Sequence, residues 1–439
     1  MLKFDKYFQA IERTEPIKTN GKVTQVIGLI IESHGPGAVL GELCYVFPNS
    51  SSKKIQAEVV GFKENKTLLM PLGDLRGIGP GCEVVATGDS FRVGVGPGLL
   101  GRIIDGLGNP LDGKGPLEFC QEYPVNGNPL NPLNRKRITE QLSIGVKAID
   151  GLLSIGKGQR VGIFSGSGVG KSTLMGMVAR NTSADVNVIA LVGERGREVR
   201  EFLEKDLGEE SLKRSVVIVA TSDQPALVRL KGALVATTIA EYFRDQSYDV
   251  MLMMDSVTRF AMSQREVGLA VGEPPATRGY TPSVFALLPK LLERSGTSMQ
   301  GTITGLYTVL VDGDDTNEPI ADAVRGILDG HIVLSRDLAM QNQYPAIDVL
   351  ASVSRVMIDI VDEGHSKAAN EARSIMATYR DAKDLIDIGA YARGSNPKID
   401  YAITKIDTII EFLKQGIAEQ VSLDQAVSHL KSIVRSDTA

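Results

Sequence analysis

The sequence predicts an α/β protein of three parts: a small N-terminal β-barrel, a core built on a mainly parallel sheet, and a C-terminal helical domain. Three observations carry this reading. Short β-branched runs broken by turn residues fill positions 21–90, apolar runs of strand length alternate with helical stretches from 159 to 334, and beyond Gly364 only helical stretches remain. Length agrees. At about 150 residues per domain, 439 residues leave room for roughly three domains. With 43% apolar and 23% charged residues the composition is that of an ordinary globular chain, which excludes global disorder. A balance of 48 Lys+Arg against 53 Asp+Glu, net charge -5, argues against coating nucleic acid by bulk charge. Cys44, Cys82 and Cys120 lie far apart and only four histidines accompany them, so neither a disulfide framework nor a zinc site has its ligands. Buried free thiols are expected instead. No run approaches the roughly 20 apolar residues of a membrane helix.

The first element, residues 1–18, carries Leu2, Phe4, Phe8 and Ile11 at helical intervals among charges, an amphipathic arm that docks on a partner or caps the first domain. The barrel follows over 19–91, with runs such as VTQVIGLIIES and IQAEVVGF. A Gly-rich passage and then YPVNGNPLNPLNRKR read as a connector into the next domain, 92–364. There RVGIF, NVIALVG, SVVIVAT, DVMLMMD, TITGLYTVLVD and HIVL are buried strands. Ser222 or Asp223 caps a helix entered through Pro225 and running to about Asp245, and Glu318-Pro319 opens another that ends near Gly330. The last domain, 365–439, holds three helical stretches. Asn396 caps the second, with Pro397 in its first turn, and Ser422 with Gln425 forms a capping box at the third.

Chemistry enters at RVGIFSGSGVGKSTLMGMVAR, where a strand runs into a Gly-rich turn and Lys-Ser opens a helix. This order is the one phosphate binding needs. In the turn formed by Gly166, Ser167, Gly168, Val169 and Gly170, backbone N–H groups point inward around a phosphate, and the helix beginning with Lys171, Ser172 and Thr173 offers its positive end. Lys171 brings a point charge to the β and γ phosphates, and Ser172 a hydroxyl to Mg2+. The strict pattern has Gly at position 165, where this chain has Ser165; a small residue there still fits the turn. Asp255, ending DVMLMMD, stands where a second acidic group would hold the metal's water shell. Glu194, after NVIALVG, is placed to orient the attacking water, and Arg195 to hold phosphate oxygens, while Arg197, Glu198, Arg200 and Glu201 form a solvated helix start.

In order along the chain, GSGVGKST, VGERGREVRE, ATSDQPALVRLKGA, MMDSVTRFAMSQRE, GEPPATRGYTPSVFALLPKLLERSG, VDGDDTNEPIADAVRGILDGHIVLSR and YPAIDVLASVSR resemble the rotary ATP synthase/type III secretion ATPase family. The likeness covers about residues 20–400, and within the family it is nearest to the protein-export members, the flagellar ones above all. It implies a ring of six copies of one chain, a P-loop ATPase core, ATP and Mg2+ as cofactors, and no nucleic acid. It also implies Tyr344 as the ring that stacks on adenine and Arg355 as an arginine finger reaching the next copy's site. Read without the family, these two would be a core tyrosine and a surface arginine. The partners implied are a dimeric cytoplasmic regulator, for which the 1–18 arm is the docking candidate, an export gate, and chaperone-bound export substrates. The chain would then work in the cytoplasm and meet the membrane only through partners. Three alternatives stay open: a virulence-type secretion ATPase, an ATP synthase catalytic subunit, which normally has a longer helical tail, and a ring-shaped RNA translocase, whose barrel would show exposed aromatics among basic residues.

Overall fold

A computed structural model describes residues 20–49, 54–311 and 318–434. The arm expected over 1–18 lies outside the described residues. Strands Gly21–Ile27, Ile30–His34, Glu42–Phe47, Ile55–Lys63, Lys66–Pro71 and Glu83–Ser90 close into a barrel in which the first strand pairs with the second and the sixth. Alternate residues fill it: Val23, Ile31, Val46, Val59, Leu69 and Val84 form the core, with Cys44 and Cys82 among them. Burial, and then the Glu42 carboxylate, pushes the Cys44 thiol up to about 12, which leaves it inert. Cys120 breaks the expectation of buried thiols. It is exposed, because the chain runs over the surface just before the short strand Gln121–Pro124.

The second domain is built on a nine-stranded sheet. Its order across the sheet is Ile347–Ser354, Gly330–Leu334, Arg160–Ser165, Thr302–Leu310, Asp249–Asp255, Val186–Val192, Ser215–Ala220 and Arg102–Asp105, with Gly296–Thr297 attached off this path. All pairs are parallel except those made by Ile347–Ser354 and Gly296–Thr297. Being covered on both faces explains the unbroken apolar runs. One face, with Val188, Ala190, Ile218, Leu252 and Met254, packs under the helix Ala226–Asp245; the other, with Ile189, Leu191, Val217, Met251 and Met253, packs on Leu174, Met175 and Val178 of the helix Lys171–Asn181. Each such fully buried Leu or Ile contributes about 1.5–3 kcal/mol.

Two expectations change here. The Gly-rich passage is not only a connector: Arg102–Asp105 pairs with Ser215–Ala220 and forms the sheet's edge. Gly106 lets this edge approach the helix, since a β-carbon there would lie 2.7 Å from the Val228 carbonyl oxygen. Nor do Ser222 or Asp223 cap the helix Ala226–Asp245. Pro225 stands at its N-cap with no side-chain bond, and the Ser222 N–H instead donates to the Glu194 carbonyl at 3.0 Å.

Asp112 pins the edge strand, accepting from the Ile103 N–H at 3.1 Å, the Lys114 N–H at 3.0 Å, and Arg102 Nε and Nη2 at 2.7 and 3.0 Å. The Arg102 guanidinium holds its carboxyl well below the usual carboxylate range. A depressed folded pKa stabilises above the unfolded value near 4 and loses that contribution as pH falls toward the folded one. Asp112→Asn is therefore expected to lower the melting temperature by roughly a few degrees at pH 7, and the gap to wild type should close as melts are repeated below about pH 4.

The last domain consists of the helices Glu363–Asp387, Pro397–Leu413 and Leu423–Val434. Asn396 accepts from the Lys398 N–H at 3.0 Å, and Ser422 and Gln425 exchange the two bonds of the capping box. Ile409, Phe412, Leu430 and Ile433 pack into the same cluster as Leu142, Ile149 and Leu152, fixing these helices to the central domain on its phosphate-loop side.

Candidate functional site: a phosphate cradle at the strand ends

The strand Arg160–Ser165 delivers the chain into a turn in which Gly168 and Gly170 have φ of +80° and +90°, a region L side chains rarely adopt. Gly170 is the N-cap of the helix Lys171–Asn181 and offers no side-chain cap, so the first N–H groups of that helix remain available to an anion. Gly166 and Val169 are buried; Ser167, Gly168 and Ser172 are exposed and Thr173 half-buried, at the open side of the turn. Ser165 fits, 2% exposed, its hydroxyl without a partner among the described residues.

Sheet order brings the other groups together. Asp249–Asp255 lies two places from the phosphate-loop strand, and Val186–Val192, which leads into Glu194, lies next to it. Lys171 Nζ donates to Asp255 Oδ1 at 2.5 Å and stands 3.6 Å from Glu194 Oε1. All three side chains are largely buried. Burial, and then the charge of Asp255, pushes the Glu194 carboxyl up to about 7, against the pull of Lys171. Burial would lower the Lys171 ammonium, but the Asp255 and Glu194 carboxylates outweigh it and hold it above its ordinary value.

The remaining expected residues divide. Tyr344, 42% exposed, stands over the turn, where a β-carbon on Gly170 would lie 3.6 Å from its ring. Its carbonyl accepts from the Gln415 N–H at 2.9 Å. Arg195 is not brought to Lys171: its side chain is 78% exposed and pairs with Glu198 at 3.5 Å. Arg355 lies at the far end of the sheet. The edge strand is antiparallel, pairing Leu334 with Ile347 at the phosphate-loop end and Gly330 with Ser354 at the other. Arg355 is exposed there, its N–H donating to the Asp329 carbonyl at 3.0 Å.

Sequence reasoning missed two groups. Arg259 packs its side chain over Gly193, where a β-carbon would come within 2.8 Å, and its Nε is buried without a hydrogen-bond partner among the described residues. Thr308 donates to Asp255 Oδ1 at 2.7 Å. Arg259 had a signal in hindsight, four residues after Asp255 on the helix that follows it. Thr308 had none. Among the described residues no cluster of three or more His, Cys, Asp or Glu could hold a metal by itself. A cation here would rest on the Ser172 hydroxyl, the Asp255 carboxylate and the phosphates of a nucleotide, an oxygen donor set suited to magnesium with its retained waters.

A glycine turn entering a helix, with its lysine between two carboxylates at the ends of parallel strands, defines a P-loop nucleotide hydrolase. Which one follows from comparison with known proteins. Residues 145–354 match the ATP synthase alpha/beta family nucleotide-binding domain, 23–88 its beta-barrel domain, and 361–432 the T3SS EscN ATPase C-terminal domain. The chain is 58% identical over 437 residues to the flagellum-specific ATP synthase of Bacillus subtilis (strain 168), spanning 99% of this chain and 100% of that one. It is 50% identical over 413 residues to the type 3 secretion system ATPase of Xanthomonas euvesicatoria, spanning 94% and 93%. The assembled ATPase EscN of the enteropathogenic E. coli type III secretion system, solved in complex with its central stalk EscO, superposes with a TM-score of 0.87 at 46% identity, over 94% of this chain and 99% of that one. The chain belongs to the ATP synthase alpha/beta family, and within it is an ATPase of the flagellar and type III secretion kind.

Proposed function

We propose that this chain hydrolyses ATP with magnesium to energise flagellar protein export, as a ring of six identical copies. The observation that carries the reading is Lys171 held between Asp255 and Glu194 at the mouth of the phosphate turn, with Arg355 at the opposite end of the same sheet. When a nucleotide enters, Lys171 turns from the carboxylates to the β and γ phosphates, while the free N–H groups of the turn and helix start enclose the phosphate oxygens. Ser172 and Asp255 would hold magnesium, which would supply positive charge to offset that of the phosphates. Glu194 orients the attacking water, Arg259, whose stem packs on Gly193 beside it, brings its guanidinium toward the γ phosphate, and Tyr344 covers the base. Arg195 joins only by leaving Glu198. Arg355 completes the neighbouring copy's site, so every copy provides both a site and a finger.

The flagellar assignment over the virulence alternative is supported by two flagellum-specific relatives at 58% and 53% identity, above the secretion ATPases at 50% and 47%, while other flagellar relatives stand at 47–48%. No described helix is long and apolar enough to cross a membrane. In this reading partners bring the ring to the cytoplasmic face of the export apparatus. A stalk-like regulator is supported by the EscN–EscO complex, and the 1–18 arm is its further contact. The barrel (19–91) forms one rim of the ring around the ATPase domain (92–364), and the helical domain (365–439) faces the export gate and receives chaperone-bound substrates. Deleting the gene in the source cell tests this. Rod, hook and filament proteins should vanish from the medium while membrane-coupled ATP synthesis stays unchanged; normal filaments with a defect in secreting host-directed effectors would overturn the flagellar reading.

A further inference from the structure

Between the phosphate-loop strand and the strand that ends in Asp255 runs Thr302–Leu310. Its register pairs Thr308 with Ile163 on one side and Tyr307 with Met254 on the other, which sets Thr308 level with Asp255. Thr308 is 0% exposed. A hydroxyl in such a place costs free energy unless it is bonded, and a valine would serve the strand as well. The Thr308 hydroxyl has one proton. It lies 2.7 Å from Asp255 Oδ1 and 3.4 Å from the Met254 carbonyl oxygen, so the carboxylate is its acceptor.

Both donors to Asp255 converge on Oδ1, Lys171 at 2.5 Å and Thr308 at 2.7 Å. Oδ2 accepts from neither of them and is left for another ligand. The two donors differ in one respect. Lys171 is on a flexible stem and is the group phosphates attract, whereas Thr308 is locked in the central sheet by pairing on both sides. We infer that Thr308 is a positioning residue that keeps Asp255 turned toward the magnesium site after Lys171 has left it for the nucleotide. The inference rests on the proposed roles of Asp255 and Lys171. It adds what those roles lack: a buried carboxylate that loses Lys171, its one ion-pair partner among the described residues, would otherwise be free to rotate, and its second oxygen would no longer be aimed.

The test measures equilibrium affinity for a fluorescent ATP analogue in the full-length protein, once with magnesium and once with EDTA. Four variants are compared with wild type: Asp255→Asn, Thr308→Val, Thr308→Ser and Thr308→Ala. Thr308→Val is expected to reduce the magnesium-dependent gain in affinity about 5- to 10-fold while the affinity in EDTA stays within about two-fold, and Thr308→Ser should keep the wild-type gain. A purely structural threonine would lower the melting temperature and both affinities alike, leaving the gain intact. Should Thr308→Val not fold, the Ser and Ala variants, which differ by one hydroxyl oxygen, carry the same comparison. If Asp255→Asn abolishes the gain and the Thr308 variants retain it, the inference is overturned and the Asp255 reading stands. If Asp255→Asn itself retains the gain, both fall.

Discussion

Arg355→Ala should lower turnover per chain about 1,000-fold while ATP still binds. The expectation comes from where the sheet puts this side chain. Arg355 follows the residue paired with Gly330, whereas the phosphate turn leaves from the level of Leu334. Four residue steps of strand separate these levels, about 13 Å at 3.3 Å per residue, before the width of two further strands is counted. A guanidinium so placed cannot reach Lys171 of its own chain without refolding the edge. It is nevertheless exposed, beside the exposed apolar side chains of Val353 and Ile358, as a group destined for a neighbour would be. The proposed finger and the lysine can therefore be disabled in different copies. Rings of Arg355→Ala alone, or of Lys171→Ala alone, should be inactive. Mixed rings contain junctions where an intact site faces an intact finger, so mixing two inactive preparations should restore phosphate release. Wild-type rate per chain should also rise with concentration as rings assemble. A mixture as inactive as its components would show that the sites are not shared.

How much was legible beforehand follows the physics of each element. The six central strands were read because burial on both faces makes them unbroken apolar runs, as in SVVIVA and DVMLMMD. The two edge strands were not. Arg102–Asp105 is four residues between glycines and only partly buried, and Ile347–Ser354 alternates irregularly because one side of it meets solvent. The cradle was legible because its phosphate-binding parts are contiguous, from Gly166 to Thr173. Asp255 and Glu194 could be placed because strand ends carry ligands in parallel sheets. Thr308 could not, being 53 residues from Asp255 in the chain and brought beside it only by strand order. Tyr344 and Arg355 came from resemblance alone. The structure adds a physical reason to treat them differently, since one antiparallel strand carries them to opposite ends of the sheet. Arg195 shows the converse: its position after a strand end suggested a phosphate ligand, but an acidic partner one helical turn on, Glu198, holds it in solvent.

Glu194→Gln is expected to reduce turnover by roughly 100-fold or more with ATP binding preserved. The substitution keeps size and one acceptor oxygen and removes the carboxylate charge proposed to polarise water. Little else should move. The backbone on either side of this residue is fixed from the neighbouring loop, with the Gly193 N–H donating to the Ala220 carbonyl at 2.7 Å and the Ser222 N–H to the Glu194 carbonyl at 3.0 Å. Lys171 keeps its closer partner, Asp255, and loses only the more distant of two carboxylates. With less negative charge beside the cradle, the phosphates meet less repulsion, so affinity for ATP should hold or tighten. Steady-state phosphate release and equilibrium binding of a fluorescent ATP analogue separate the two effects. Glu210→Gln is the control, because Glu210 is exposed and pairs with exposed Lys213 at 2.6 Å, so its loss should leave turnover near wild type. Turnover near wild type in Glu194→Gln would remove Glu194 from the mechanism. A loss of binding equal to the loss of turnover would make its carboxylate a part of the cradle's structure, with the water held by another group.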